Sequence, residues 1–210
     1  MFSGAKSFDQ DLSKWDVSRV IDMQWMFADT KCFNQDLSNW DVSRVSDMQW
    51  MFSDAKTFNQ DLSDWDVSRV TNMHAMFANT ESFNQDLSKW DVSRVTSARA
   101  MFAFALSFNQ DLSDWDVSRV IDMHCMFSAA RSFQQTLSSA AWVNSNASKV
   151  DMFSQSPGSI STSVCGARMF GCLVYSLTFL SFLYLTLHLY TRTPMIYSST
   201  GSLHAQIYPY

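Results

Sequence analysis

The sequence predicts an α/β solenoid of short parallel strands and short helices, followed by a single hydrophobic helix. Three observations predict it. The hexapeptide Trp-Asp-Val-Ser-Arg-Val occurs unchanged at 15–20, 40–45, 65–70, 90–95 and 115–120, always 25 residues apart, and self-similarity at such a period marks a stacked-repeat architecture. Within each interval the apolar positions pass from alternation to a spacing of three, the change that a strand followed by a helix makes. Far beyond the last copy, residues 169–190 form an apolar run without a formal charge, and about 20 such residues span a bilayer core.

One unit reads from Phe8 to Thr30, with apolar Phe8, Leu12, Trp15, Val17, Val20, Met23, Met26 and Phe27. The segment Leu12-x-x-Trp15-x-Val17-x-x-Val20 has the shape of a leucine-rich-repeat strand. Trp15 and Val17 alternate with Asp16, so a strand is expected at 14–18 with the aspartate facing out. Val20, Met23, Met26, Phe27 and the small residue at 30 (Thr30, Ala55, Thr80, Ala105, Ala130) then predict one face of a short helix. Ser18 or the residue at 22 is its expected N-cap. Asn34-Gln35 and its equivalents at 59, 84 and 109 read as a turn whose stacked amides bond along the repeat axis and satisfy the loop backbone. One unit leaves both faces open, so stability has to come from its neighbours.

The sixth unit decays. Trp142 arrives two residues late, and Ser148 to Phe153 resembles the repeat with a deletion, so 139–153 reads as an irregular terminal cap. Residues 154–163, rich in Ser and carrying Pro157-Gly158, read as a linker. Residues 169–190, flanked by Arg168 and Arg192, predict a membrane span, followed by a short tail at 191–210. Residues 1–30 contain no apolar run of the kind a secretory signal needs. Met1-Phe2 coincides with the recurring Met-Phe of the repeats, so a fragment of a longer reading frame is expected.

Charge divides the chain in the same place. All 20 acidic residues lie at or before Asp151, together with 13 of the 15 basic ones, which gives that part a net charge of −7. No basic surface exists to neutralise phosphates, so nucleic acid is not an expected partner. The four cysteines, Cys32, Cys125, Cys165 and Cys172, keep no fixed place in the repeat and predict no disulfide framework.

No catalytic constellation emerges. The sequence holds no G-x-S-x-G, H-E-x-x-H or phosphate-binding loop, and no histidine stands at a repeating offset from the recurrent serines. An enzyme, a cofactor and a built metal site are not expected. His74 and His124, two units apart, are too distant to share an ion and read as surface residues. The Met23, Met48, Met73 and Met123 column reads as core. The column Asp16, Asp41, Asp66, Asp91, Asp116 is expected on the outer face, where like charges about 4.8 Å apart repel. Arg19 and its copies, three residues on, are expected to pair with it, while a divalent-cation strip is the alternative use of the carboxylates. Just before each tryptophan the residue changes: Lys14, Asn39, Asp64, Lys89, Asp114. A strip that varies on an invariant frame is the candidate partner-binding surface, alone or with the aspartate column. Trp25 and Trp50, which give way to Ala75, Ala100 and Cys125, form a second apolar patch if exposed.

Taken together, FNQDLSxWDVSRVxxMxxMFxx[AT]xxF resembles the BspA-type, Mycoplasma-lipoprotein-like surface proteins with tandem repeats of this length. The resemblance covers residues 1–138. It implies a leucine-rich-repeat-like fold and adhesion or binding to a protein or cell-surface glycan, and it supplies no catalytic residue. The expected protein is therefore a membrane-anchored binding module at the cell surface. The alternatives are an intracellular interaction scaffold with a spurious or internal-membrane tail, and a structural or divalent-cation-binding array.

Overall fold

A computed structural model describes residues 1–164; the apolar run at 169–190 lies outside them. Successive repeats stack in 25-residue register. Parallel backbone bridges join Asp22, Asp47, Asn72, Ser97, Asp122 and Ser148 in turn. The regular elements all lie near the end of the described chain: β1 (Thr136–Leu137), α1 (Ala140–Val143) and β2 (Ser159–Ile160).

Each coil is a succession of β-turns. Backbone N–H groups reach back three residues from Trp15 to Leu12, Val20 to Val17, Met26 to Met23, Ala28 to Trp25, Thr30 to Phe27 and Phe33 to Thr30, and the pattern recurs in the following coils. Most of these turns begin and end on an apolar or small residue that points inward. The three-residue spacing that suggested a helix is the spacing of turn ends.

The helix expected at 20–30 is therefore absent, and two physical causes exclude it. The N–H groups of Met23, Trp25, Phe27 and Asp29 donate to carbonyls of Asp47, Gln49, Met51 and Ser53 in the next coil, at 2.8–3.1 Å, so they are unavailable for helical bonds. Positions 25 and 29 of every coil also take the left-handed conformation, with φ of 52–60° from Trp25 to Gln155, which interrupts a right-handed helix. Coil spacing demands this. Phe27, Phe52, Phe77, Phe102 and Phe127 stack with centroids 5.5–5.7 Å apart, whereas helices with their side chains are about 10–12 Å across.

The strand expected at 14–18 is absent as well. The turns Leu12–Trp15 and Val17–Val20 bend the backbone on either side of Asp16, and the single bridged residue lies at 22. The alternation itself holds, since Trp40 and Val42 are buried on either side of exposed Asp41.

The core is built from columns. A second phenylalanine column, Phe8 to Phe133, runs beside the first at 5.7–6.1 Å per step. Within each coil the two rings stack at 4.0–4.2 Å. The tryptophans pin coil to coil. The indole N–H of Trp40, Trp65, Trp90, Trp115 and Trp142 donates to the carbonyl of Leu12, Leu37, Leu62, Leu87 and Leu112 in the preceding coil, at 2.8–3.1 Å. The expected amide stack forms: Asn34 Oδ1 accepts the backbone N–H of Asn59 and the Gln60 side chain, and the pair recurs upward to Gln134 and Gln135.

The late tryptophan of the sixth unit is accommodated by α1, which takes up the two extra residues in one helical turn and brings Trp142 fully into the core. The linker expected at 154–163 packs instead. Ala129 donates to the Ser154 carbonyl, β2 pairs in parallel with β1, Thr136 opposite Ser159, and Ile160 meets the core. Gly158 is required there, because a Cβ would lie 2.3 Å from Phe133 Cδ1.

Two substitutions test this frame. Trp90→Phe removes the indole donor and leaves a void, which should cost about 2 kcal/mol in urea unfolding. Trp15→Phe should cost less than about 1 kcal/mol, since Trp15 is 43% exposed and its indole has no protein acceptor among the described residues. Ala100 holds φ 52°, so Ala100→Gly should raise stability by about 0.5–1 kcal/mol, the left-handed strain relieved exceeding the backbone entropy that glycine loses. A lower melting temperature for this variant would contradict the turn geometry.

Candidate functional site

The Asp16 column is exposed throughout, and so is the variable strip Lys14, Asn39, Asp64, Lys89 and Asp114. Each aspartate of the column acts within its own turn. Asp16, Asp41, Asp66, Asp91 and Asp116 accept the backbone N–H of the serine two residues on, at 3.0–3.1 Å. The same device closes the neighbouring turn, where Asp11 Oδ1 takes the Ser13 N–H at 2.8 Å, and again at Asp22 with Gln24 at 2.9 Å. Bonds from the Ser18 hydroxyl and then its backbone N–H hold the Asp16 carboxyl below the usual carboxylate range. Ser43 does the same for Asp41, against the opposing charge of Asp16, and Ser93 for Asp91.

The expected pairing of this column with Arg19 and its copies does not form. Among the described residues the ion pairs are Lys6 and Lys31 with Asp29, Lys56 with Glu81, and Arg99 with Asp122. Local turn bonds, which need no long side chain to be ordered, do the work assigned to the arginines.

A different set of positions varies more in chemistry. Positions 24 and 25 of successive coils hold Gln24-Trp25, Gln49-Trp50, His74-Ala75, Arg99-Ala100 and His124-Cys125, with Val150-Asp151 in the sixth. The inter-coil ladder runs through them, Trp25 donating to the Gln49 carbonyl, Trp50 to His74, Ala75 to Arg99, Ala100 to His124 and Cys125 to Val150. Their backbones are thus fixed while the side chains change. At one end Trp25 is 45% exposed and stacks on Trp50 at 4.8 Å with ring planes 4° apart. Trp50 in turn meets the His74 ring at 5.1 Å, tilted by 58°. Burial, and after it the Arg99 charge, lowers the His74 pKa, with Asp122 and Asp47 opposing. At the other end His124, Cys125 and Asp151 bring donor atoms within 4.8 Å of one another.

The variable strip before each tryptophan and the change from tryptophan to smaller residues at position 25 were legible in the sequence; the backbone role that positions 24 and 25 share was not. Their signal was present as unlike residues at one offset of an otherwise regular unit. Reading the segment as a helix gave those positions no common backbone role.

The family model described as "Mycoplasma protein of unknown function, DUF285" matches residues 1–78 and again residues 60–163. No curated protein and no solved structure matches the chain.

The lowered His74 pKa sets a pH dependence. The unfolded chain, with histidine near its ordinary 6.5, binds the proton at higher pH than the folded chain does. Stability should fall as pH drops from about 6.5 toward the lowered folded value. His74→Gln, which installs the residue found at Gln24 and Gln49, should flatten that part of a melting-temperature profile. An unchanged profile would show that His74 does not contribute.

Proposed function

We propose that this chain, which belongs to the DUF285 family of Mycoplasma proteins, is a non-enzymatic, leucine-rich-repeat-like solenoid of the BspA-like surface kind that binds a protein or cell-surface glycan. In this reading it is held at the membrane by the apolar run 169–190. The single observation that carries the binding role is the parallel Trp25–Trp50 stack on a fixed backbone, exposed at Trp25 and half-buried at Trp50. Two rigid indoles offer a large apolar surface with polar N–H tips at little entropic cost, the chemistry that favours tryptophan at protein interfaces and against sugar faces. Support also comes from the contrast between an invariant frame and changing side chains at positions 24 and 25. The exposed strip Lys14, Asn39, Asp64, Lys89 and Asp114 is the second surface that a partner can read.

The test uses beads carrying the full chain and counts those retained on cell monolayers under flow. Alanine already occupies the equivalent position at Ala75 and Ala100, so Trp25→Ala with Trp50→Ala keeps the frame. The pair should lose about 2 kcal/mol or more of binding, roughly thirtyfold, at an unchanged circular-dichroism spectrum. Retention equal to that of the parent would remove the tryptophans from the binding face. Replacing the five strip residues by alanine shows whether that surface carries the activity instead. Protease treatment of intact cells tests location: repeats cleaved only after permeabilisation are not at the surface.

A further inference from the structure

At the end of the 24/25 column opposite the tryptophans, three unlike donors meet: an imidazole, a thiol and a carboxylate. The distances follow from the register of the coils. His124 and Cys125 are neighbours in the fifth coil, and Asp151 lies directly opposite Cys125 in the sixth. The Cys125 N–H donates to the Val150 carbonyl at 2.9 Å, between flanking bonds from Met123 to Ser148 and from Phe127 to Met152, both 2.8 Å. The donor atoms lie within 4.8 Å of one another. In a tetrahedral zinc site with a sulfur, a nitrogen and an oxygen ligand, donors are about 3.3–3.7 Å apart. Closing on an ion requires the donor atoms to approach one another by about 1 Å to reach that spacing.

We propose that His124, Cys125 and Asp151 form a binding site for a zinc-class transition-metal dication. The donor set selects the metal. A thiolate with an imidazole favours zinc over calcium or magnesium, which take oxygen ligands. Three protein donors leave a fourth position for water or for a donor from a bound molecule. The thiol is partly buried beside an aspartate, and burial followed by the Asp151 charge raises its pKa. A cation coordinated there has to displace the thiol proton. Arg99, the nearest cation of the column, is turned to Asp122 at 3.7 Å, and Asp122 Oδ1 fixes the His124 backbone N–H at 2.9 Å. The four other coils lack this set: only here do positions 24 and 25 place sulfur, nitrogen and oxygen together.

The experiment titrates cobalt(II) into the full chain in a background where Cys32, Cys165 and Cys172 are serine. One equivalent should produce the near-ultraviolet sulfur-to-cobalt charge-transfer band, and zinc should displace it. The molecule supplies its own conservative variants. Cys125→Ala copies Ala100, His124→Gln copies Gln49, and Asp151→Asn places a residue that already holds the left-handed conformation at Asn79. Cys125→Ala should abolish the band. His124→Gln and Asp151→Asn should each weaken binding by at least about 10-fold, since even the loss of an outer-shell partner weakens such sites by about 10–100-fold. Zinc should raise the melting temperature of the parent and leave that of Cys125→Ala unmoved. Absence of the band in the parent background, its survival in Cys125→Ala, or equal affinity in the other two variants each overturns the site.

Discussion

The distance between successive coils governs the rest of this structure. A backbone ladder and two columns of stacked phenylalanines hold each coil against the next, at ring separations of 5.5–6.1 Å. Nothing wider than one extended or turning chain fits that step. The chain therefore turns its corners with overlapping β-turns, and accepts left-handed residues at positions 25 and 29 of each coil. Each such residue costs about 1–2 kcal/mol, a strain that persists because ladder bonds on both sides fix the backbone. The tryptophan indole completes the clamp. The Leu62 carbonyl, for example, accepts both the Trp65 backbone N–H at 3.1 Å and the Trp90 indole at 2.9 Å, so a single oxygen closes a turn and joins two coils.

The invariant hexapeptide takes its meaning from this geometry. Asp-Leu-Ser-x-Trp and Asp-Val-Ser-Arg-Val are two copies of one five-residue device. An aspartate caps the backbone N–H of a residue two positions on, and the flanking apolar residues close the turn. Asp22-Met23-Gln24-Trp25-Met26 follows the same plan. The aspartate column is thus a consequence of turn closure. Its carboxylates lie in register because the turns do, and their charge is held by local donors rather than by the arginines three residues on.

Repeat length, inward-facing positions and the amide stack were legible because each is periodic, and periodicity survives without knowledge of backbone conformation. The chain path between the apolar positions was not. Val20, Met23, Met26 and Phe27 satisfy a helix and a run of turns equally, because both return a side chain to one side after three residues. Only the coil spacing decides between them, and that depends on contacts between residues 25 apart. The left-handed positions carried no glycine to announce them; Trp25, Asp54, Ala100 and Cys125 occupy them instead. The tail of the array hides its packing from the sequence for a related reason. Ser154 to Ser163 has a linker's composition, yet Gly158 is the residue that lets the chain lie against Phe133.

This mismatch between local preference and observed conformation separates the invariant frame from the positions that vary. At position 25 the backbone prefers none of tryptophan, alanine and cysteine over the others, since each meets left-handed strain that Asn and Asp tolerate better. The fold is therefore nearly indifferent to the choice, and tryptophan, alanine, cysteine and aspartate all occur. Trp40, Val42 and Phe52 have no such freedom, because each is one rung of a column whose neighbours set its shape. Residue identity at positions 24 and 25 is therefore not dictated by the ladder that runs through them. Two tryptophans stand at one end and a histidine, a cysteine and an aspartate at the other, so the two ends of the same ladder face different chemistry.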